Sequence, residues 1–280
     1  MTSGKPEYPW PPGSASGAGS MPGTDPLQAV RVVLDELPDL PHLPELPGRG
    51  PGADMIGRAA AMLTDLPAET TPDGWRLAAR PGRDLQRARD YLAWDLDALE
   101  EAAAGYQGPL KIQVAGPWTL AASLQLPASQ ERVLTDPGAV ADLIASLAEG
   151  VGAHAAEVRR RVPGAQLLLQ LDEPRLPAAL AGALPSASGL NRVRAVEPGP
   201  AADGLRAVFS PASAYPLVHC CAAHPPFGSI IQSGARAVYL DLSQLRREDE
   251  DAFAEAADSG TGIFAGTVQV TDSERTIGSQ

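Results

Sequence analysis

His219-Cys220-Cys221 brings nitrogen and sulfur donors together at the end of an apolar run, Tyr215-Pro216-Leu217-Val218. Side chains alternate along a strand, so His219 and Cys221 project to the same side. An imidazole and a thiolate make a borderline-soft donor pair, and zinc is its usual guest. The chain has two cysteines, and both stand here. The plainer reading is a buried strand end in which free cysteine packs as a small hydrophobe. Vicinal cysteines are poorly placed to bridge each other. Two cysteines in 280 residues, with no signal-peptide pattern, point to a reducing cytoplasm.

Two further apolar runs end in acids. Leu169-Gln170-Leu171-Asp172-Glu173-Pro174 lifts a carboxylate beyond the end of a strand. Its plainer role is the N-cap of the next helix. Asp241 interrupts Val238-Tyr239-Leu240-Asp241-Leu242. A buried acid without a partner is costly, so Asp241 caps, pairs or ligates. The remaining histidines carry less. His42 lies in a proline-rich stretch, His154 inside a helical pattern, and His224 in a loop after the cysteines.

These residues need elements to place them. Strand patterns fall at residues 16–20, 75–79, 110–115, 166–171, 217–220, 237–242 and 262–268. Helical patterns fall at residues 84–104, 137–161, 227–233 and 248–258. In the first, Asp84 is the expected cap, and Leu85, Ala88, Leu92, Leu96 and Leu99 share a face. The second opens on Asp136-Pro137, closes on Arg159-Arg160-Arg161 and stops at Pro163-Gly164. Repeated βα units with buried strands imply a parallel sheet flanked by helices. Ser20, Gly116, Asp172, His219 and Asp241 all fall at C-terminal strand ends, where a (β/α)8 TIM barrel keeps its chemistry. No glycine-rich phosphate loop follows the first strand, which speaks against a doubly wound sheet. The expected fold is α/β, a TIM-type barrel missing its last βα unit. Residues 1–15 form an extended arm, 16–270 the barrel, and 271–280 a polar tail.

Composition narrows the partners. A formal charge of −12 argues against nucleic acid, which needs a basic face. No apolar run reaches membrane-spanning length. Proline and glycine, 28 each, crowd the first 52 residues, which read as extended arms and loops.

Four motifs in chain order resemble the catalytic C-terminal barrel of cobalamin-independent methionine synthase, in the superfamily shared with uroporphyrinogen decarboxylase. Gly19-Ser20-Met21-Pro22 is similar to the family's Gly-Ser-Phe-Pro loop. Val114-Ala115-Gly116-Pro117-Trp118-Thr119 is similar to its Gly-Pro-Val-Thr loop. Gln170-Leu171-Asp172-Glu173-Pro174 is similar to its Gln-Ile-Asp-Glu-Pro strand end, and Val218-His219-Cys220-Cys221 to its His-x-Cys zinc motif. The resemblance implies a zinc-dependent S-methyltransferase that moves a methyl group from a methylated folate, or another donor, to homocysteine to give methionine. It implies His219, Cys221 and Asp241 as zinc ligands. Asp172 would hold the substrate's amino group, and Ser20 its carboxylate.

The chain also departs from that pattern. Asp241 stands where the family has a glutamate, one methylene longer. No cysteine follows Cys221 to match the family's fourth ligand. The family's Gly-Glu substrate contact after the second strand is met here by Arg80-Pro81-Gly82-Arg83. Two alternatives therefore stand beside the enzyme. One is a truncated or decayed barrel that binds a ligand without turnover. The other is a metal-free decarboxylase of the uroporphyrinogen type, whose site favours arginines.

Overall fold

The computed structural model describes residues 8–127 and 129–267. Val268, at the end of the last expected strand, and the polar tail 271–280 lie outside them. In chain order the elements are α1 (Pro26–Glu36), α2 (Met55–Met62), β1 (Ala68–Thr71), β2 (Gly74–Leu77), α3 (Arg83–Ala102), β3 (Gly108–Ala115), α4 (Pro117–Ala121) and α5 (Pro137–Arg161). There follow β4 (Ala165–Asp172), α6 (Leu176–Leu180), α7 (Pro198–Phe209), β5 (Tyr215–Cys220), α8 (Phe227–Gln232), β6 (Ala237–Asp241), α9 (Glu250–Asp258) and β7 (Gly262–Gly266). Strands β3 to β7 pair in that order, all parallel, in one five-stranded sheet.

Two short segments extend this sheet beyond β3. Residues 41–45 run parallel to β3 through the His42–Lys111 bridge, with Leu43 N donating to Lys111 O at 2.9 Å and Lys111 N to Pro41 O at 2.9 Å. Residues around Ser20 run parallel to them, with Glu45 N donating to Gly19 O at 3.0 Å and Met21 N to Glu45 O at 2.8 Å. In a regular strand, residues 43 and 45 would donate to the same neighbour. Here they donate to opposite ones, so the ladder breaks at Pro44 and re-aims Glu45. The expected second strand, residues 75–79, is different: β1 and β2 form an antiparallel hairpin of their own, apart from the parallel sheet.

The two faces of the sheet are packed differently. Leu110, Ile112, Val114, Leu167, Leu169, Leu171, Val218, Val238 and Leu240 point to the helices and share the main core with them. The opposite face builds a second cluster from Leu168, Leu217 and Ala237 with Leu40, Trp10, Tyr215, Tyr239 and Phe264, and no helix contributes to it. A sheet whose strands bury one face on each other's side chains is compatible with part of a barrel. Among the described residues no pairing joins β7 to residues 16–20. Residues 1–7 of the expected arm lie outside the described residues, and Tyr8 and Trp10 cover the lower end of this inner face. Tyr8 Oη donates to Gly260 O at 3.1 Å, and the Trp10 ring lies 4.8 Å from Phe264 and 5.2 Å from Tyr215.

The long helices follow their sequence signals. Asp136 caps α5 by accepting from Gly138 N at 2.8 Å and Ala139 N at 3.1 Å. Gly150 lets α5 approach the Met62 carbonyl, which any side chain there would strike. On α3 the expected cap is corrected: Gly82 holds that place, and the Asp84 carboxylate instead accepts from the Thr70 amide and hydroxyl of β1. No helix among the described residues is long and apolar enough to cross a membrane.

A buried ion cluster fastens the sheet edge to α2 and α3. Asp95 pairs with Arg58, and with Arg49 at 2.8 Å, while Arg58 Nε lies 3.4 Å from Glu45. All four side chains are buried. Removing one member leaves charges stranded, which costs more than the pair contributes. Asp95→Ala should destabilise the fold by about 3–5 kcal/mol, since Arg49 loses its acid and Arg58 keeps only the longer contact to Glu45. Urea unfolding of the variant against the parent measures this, and a loss under about 1 kcal/mol would show the cluster to be solvated.

Candidate functional site

Strand register sets the site. Asp172 ends β4 and stands opposite His219 of β5, which in turn stands opposite Tyr239 of β6. Paired residues of a parallel sheet point to the same face. His219 Nδ1 therefore meets Asp172 Oδ1 at 2.7 Å, and the His219 and Tyr239 rings pack with centroids 4.5 Å apart. Asp172 Oδ1 also accepts from Gln170 Nε2 at 2.7 Å. Asp172 Oδ2 has no partner among the described residues. It is the open face of a carboxylate that is otherwise buried.

Cys220 and Cys221 divide the two readings of the motif between them. Cys220 points to the helix side, is fully buried, and has its thiol pushed up to about 12 by burial. It packs as a hydrophobe. Cys221 is exposed at the strand end and lies against His219. Burial pulls the His219 imidazole down, but Asp172 and Cys221 together outweigh it and hold it up at about 9. An imidazole fixed through Nδ1 by a carboxylate is the usual support for a metal-ligating histidine. A metal there must displace the proton that the same carboxylate favours.

His219 and Cys221 fit zinc in kind, but the count falls short. The expected third ligand does not join them. Asp241 Oδ1 accepts from Ser243 N at 2.9 Å and from Ser243 Oγ at 2.7 Å, closing the turn that follows β6. Among the described residues no three His, Cys, Asp or Glu side chains come together to hold a metal. The short aspartate side chain is captured by its own turn, a competition that Asp and Ser residues favour.

Ser20 lies exposed at the end of the first segment, bridged to Glu45. Two residues before it, the Ala18 carbonyl accepts from Gln170 Nε2 at 2.7 Å, so the Ser20 loop and Asp172 hang from one amide. Glu45 is buried beside them and is a residue that motif reading passes over. Burial pushes its carboxyl up to about 7 against the pull of Arg58. The sheet's second segment ends in Leu43-Pro44-Glu45, whereas the expected second strand, residues 75–79, lies in the separate hairpin.

Glu173 does not cap its own helix. Its carboxylate accepts from Trp118 N at 3.0 Å, Thr119 N at 2.7 Å and Thr119 Oγ1 at 2.7 Å, capping α4 from the neighbouring strand. Gly116 is required there, because a Cβ would collide with that carboxylate. The Gly-Pro-Trp-Thr loop is thus held in place by the residue beside Asp172. His224 has a left-handed backbone and lies 3.2 Å from Glu248 and 3.3 Å from Asp249, which anchors its loop rather than the site. His42 and His154 are both buried and held near 3, chiefly by burial, so both are neutral.

Glu173 gives the protein a defined pH response. Burial raises its carboxyl from 4.5 to about 7 despite three hydrogen bonds. The folded chain therefore binds this proton more tightly than the unfolded chain. The stability contributed is complete below about pH 4.5 and is lost as pH rises through about 7. Glu173→Gln should remove ~2–3 kcal/mol of that decline, read as the difference between parent and variant in urea unfolding at pH 5 and pH 8. Parallel stability curves would show that Glu173 stays ionised throughout.

No protein-family model matches the chain, and no curated protein does. Among solved structures, it is similar to a B12-independent methionine synthase from Shewanella sp. W3-18-1 in complex with selenomethionine. That distant match has a TM-score of 0.41 and 13% sequence identity, and it covers 62% of this chain. The chain spans about half of the other protein's length, 48%.

Proposed function

We propose that the protein is an S-methyltransferase of the methionine synthase type, acting in the cytoplasm on homocysteine and a methylated folate or other methyl donor. The observation that carries this reading is the 2.7 Å contact between Asp172 and His219, with Cys221 beside them at the same end of the sheet. The four motifs in chain order support it. Asp172 Oδ2 receives the substrate's ammonium group, an anionic partner in a site largely shielded from water. The Ser20 loop receives the carboxylate. Asp172 also holds the His219 ring, so one carboxylate orients substrate and donor pair together.

His219 and Cys221 would hold zinc. Held there, zinc would let the substrate thiol react as a thiolate at neutral pH, where a free thiol, with a pKa of about 8.5, is mostly protonated. The substrate sulfur forms its bond to the methyl carbon as the bond from nitrogen to that carbon breaks, and the leaving nitrogen takes up a proton. The barrel is the fold in which these strand ends would meet. A second reading, ligand binding without turnover, is favoured by one observation: the Asp241 carboxylate is spent on its own turn.

Asp172→Asn should weaken methionine or homocysteine binding by tenfold or more, as titration calorimetry would read. Unchanged affinity would remove Asp172 from the substrate. Zinc titration separates the ligands. Cys221→Ser should abolish zinc uptake, whereas Asp241→Ala should leave it unchanged; the reverse pattern would restore Asp241 as a ligand. Methyl transfer to homocysteine by the zinc-loaded protein decides between the enzyme and the binding protein.

A further inference from the structure

Beneath Asp172 lies a lysine that neither the motifs nor the proposed chemistry uses. Lys111 of β3 is buried on the inner face of the sheet, 1% exposed. Its Nζ donates to Gln170 Oε1 at 2.7 Å and to Ala18 O at 3.3 Å. Gln170 Nε2 donates to the same Ala18 O at 2.7 Å and to Asp172 Oδ1 at 2.7 Å. A lysine ammonium only donates and a backbone carbonyl only accepts. With Lys111 on one side and Ala18 on the other, the Gln170 amide has one orientation. Its NH2 must face Asp172.

A fully buried lysine is an expensive way to fill space, because a methionine of similar length would pack there without desolvating a charge. Burial draws Lys111 down to about 8, while Asp172 and Glu45 hold it up. His42, neutral beside it, offers no competing charge. The retained cation therefore asks for a task, and its contacts name one.

We infer that Lys111 and Gln170 are positioning residues forming a clamp that sets the span between the Ser20 loop and Asp172, and so selects ligands carrying both an ammonium and a carboxylate at amino-acid spacing. The inference rests on the proposed reading of those two ends. Ala18 is the shared point: it precedes Gly19-Ser20, and it is tied through one amide to the Asp172 oxygen that faces His219. Loss of Lys111 removes a donor to Ala18 O and leaves Gln170 Oε1 buried without its partner, so the loop is held by the Gln170 NH2 alone. Loss of the Gln170 amide breaks both ties at once.

The test uses Lys111→Met and Gln170→Leu, close in size to the residues they replace. Two measurements are made on the full chain. The first is hydrogen exchange at the Met21 amide, which is bonded to Glu45 O at 2.8 Å, with amides of α3 as the control for global stability. The second is calorimetric affinity for methionine and for 3-(methylthio)propylamine, which keeps the ammonium and lacks the carboxylate. Both variants should speed Met21 exchange at least tenfold relative to α3. Both should weaken methionine at least tenfold while weakening the amine much less, and the double variant should be no worse than the poorer single one. Unchanged Met21 exchange, or equal weakening of the two ligands, overturns the clamp. If the parent protein binds no methionine, the amino-acid reading fails by itself, and Met21 exchange still decides whether the clamp exists.

Discussion

Two adjacent carboxylates at the end of β4 point to opposite faces of the sheet, and the site depends on both being buried. Side-chain alternation gives Asp172 to the inner face and Glu173 to the outer. Asp172 gathers Gln170 and His219 on one oxygen and leaves the other open. Glu173 reaches across to the N-terminus of α4, and Thr119 Oγ1 in turn accepts from Arg175 N at 3.2 Å. The loop after β3 and the loop after β4 are thereby one unit. Neither acid is replaceable by the other, because the strand period assigns them different neighbours.

Glu173 is held by neutral donors, but Asp172 and Glu45 have buried cations near them, supplied from two directions. Lys111 stands below Asp172 on the inner face. Arg58 and Arg49 stand behind Glu45, joined through Asp95 on α3. Glu45 lies between the two groups, close enough to feel Arg58, Asp172 and Lys111 together. The charges that form the site are thus continuous with those that fasten α2 and α3 to the sheet. A substitution in either set changes the field at the other, since a low dielectric strengthens every pair it contains.

What could be read from the sequence was what local chemistry dictates. Strands β4 and β5 announce themselves as apolar runs that stop at acids or at His-Cys, and α5 carries both its Asp-Pro start and its basic end. That Asp172 and His219 stand at strand ends was legible, but their 2.7 Å contact was not. The second sheet segment was hidden because Pro41 and Pro44 make it look like an extended arm, and its pairing is split between two neighbours. Glu45 was hidden with it. Trp75 belongs to a strand, as its β-rich run suggests, but the partner is the adjacent β1 rather than the parallel sheet. Glu173 reads as a cap from sequence, and it is one. Only the three-dimensional fold could show that it caps another unit's helix.

Asp241 shows how one methylene separates a local role from a tertiary one. An aspartate at a strand end closes a turn onto the backbone two residues on, as Asp241 does with Ser243. A glutamate's carboxylate stands one bond farther out and does not close that ring so readily, which leaves it free to reach a neighbouring strand. The short acid and the tight turn after β6 are therefore the same choice. The next strand offers no substitute, because Gly266 stands opposite Asp241 in the register. His219 and Cys221 are left as one nitrogen and one sulfur with an open side toward solvent at Cys221. A donor pair left open in this way depends for its remaining contacts on what it binds, and for its geometry on Asp172, which alone fixes the His219 ring through Nδ1.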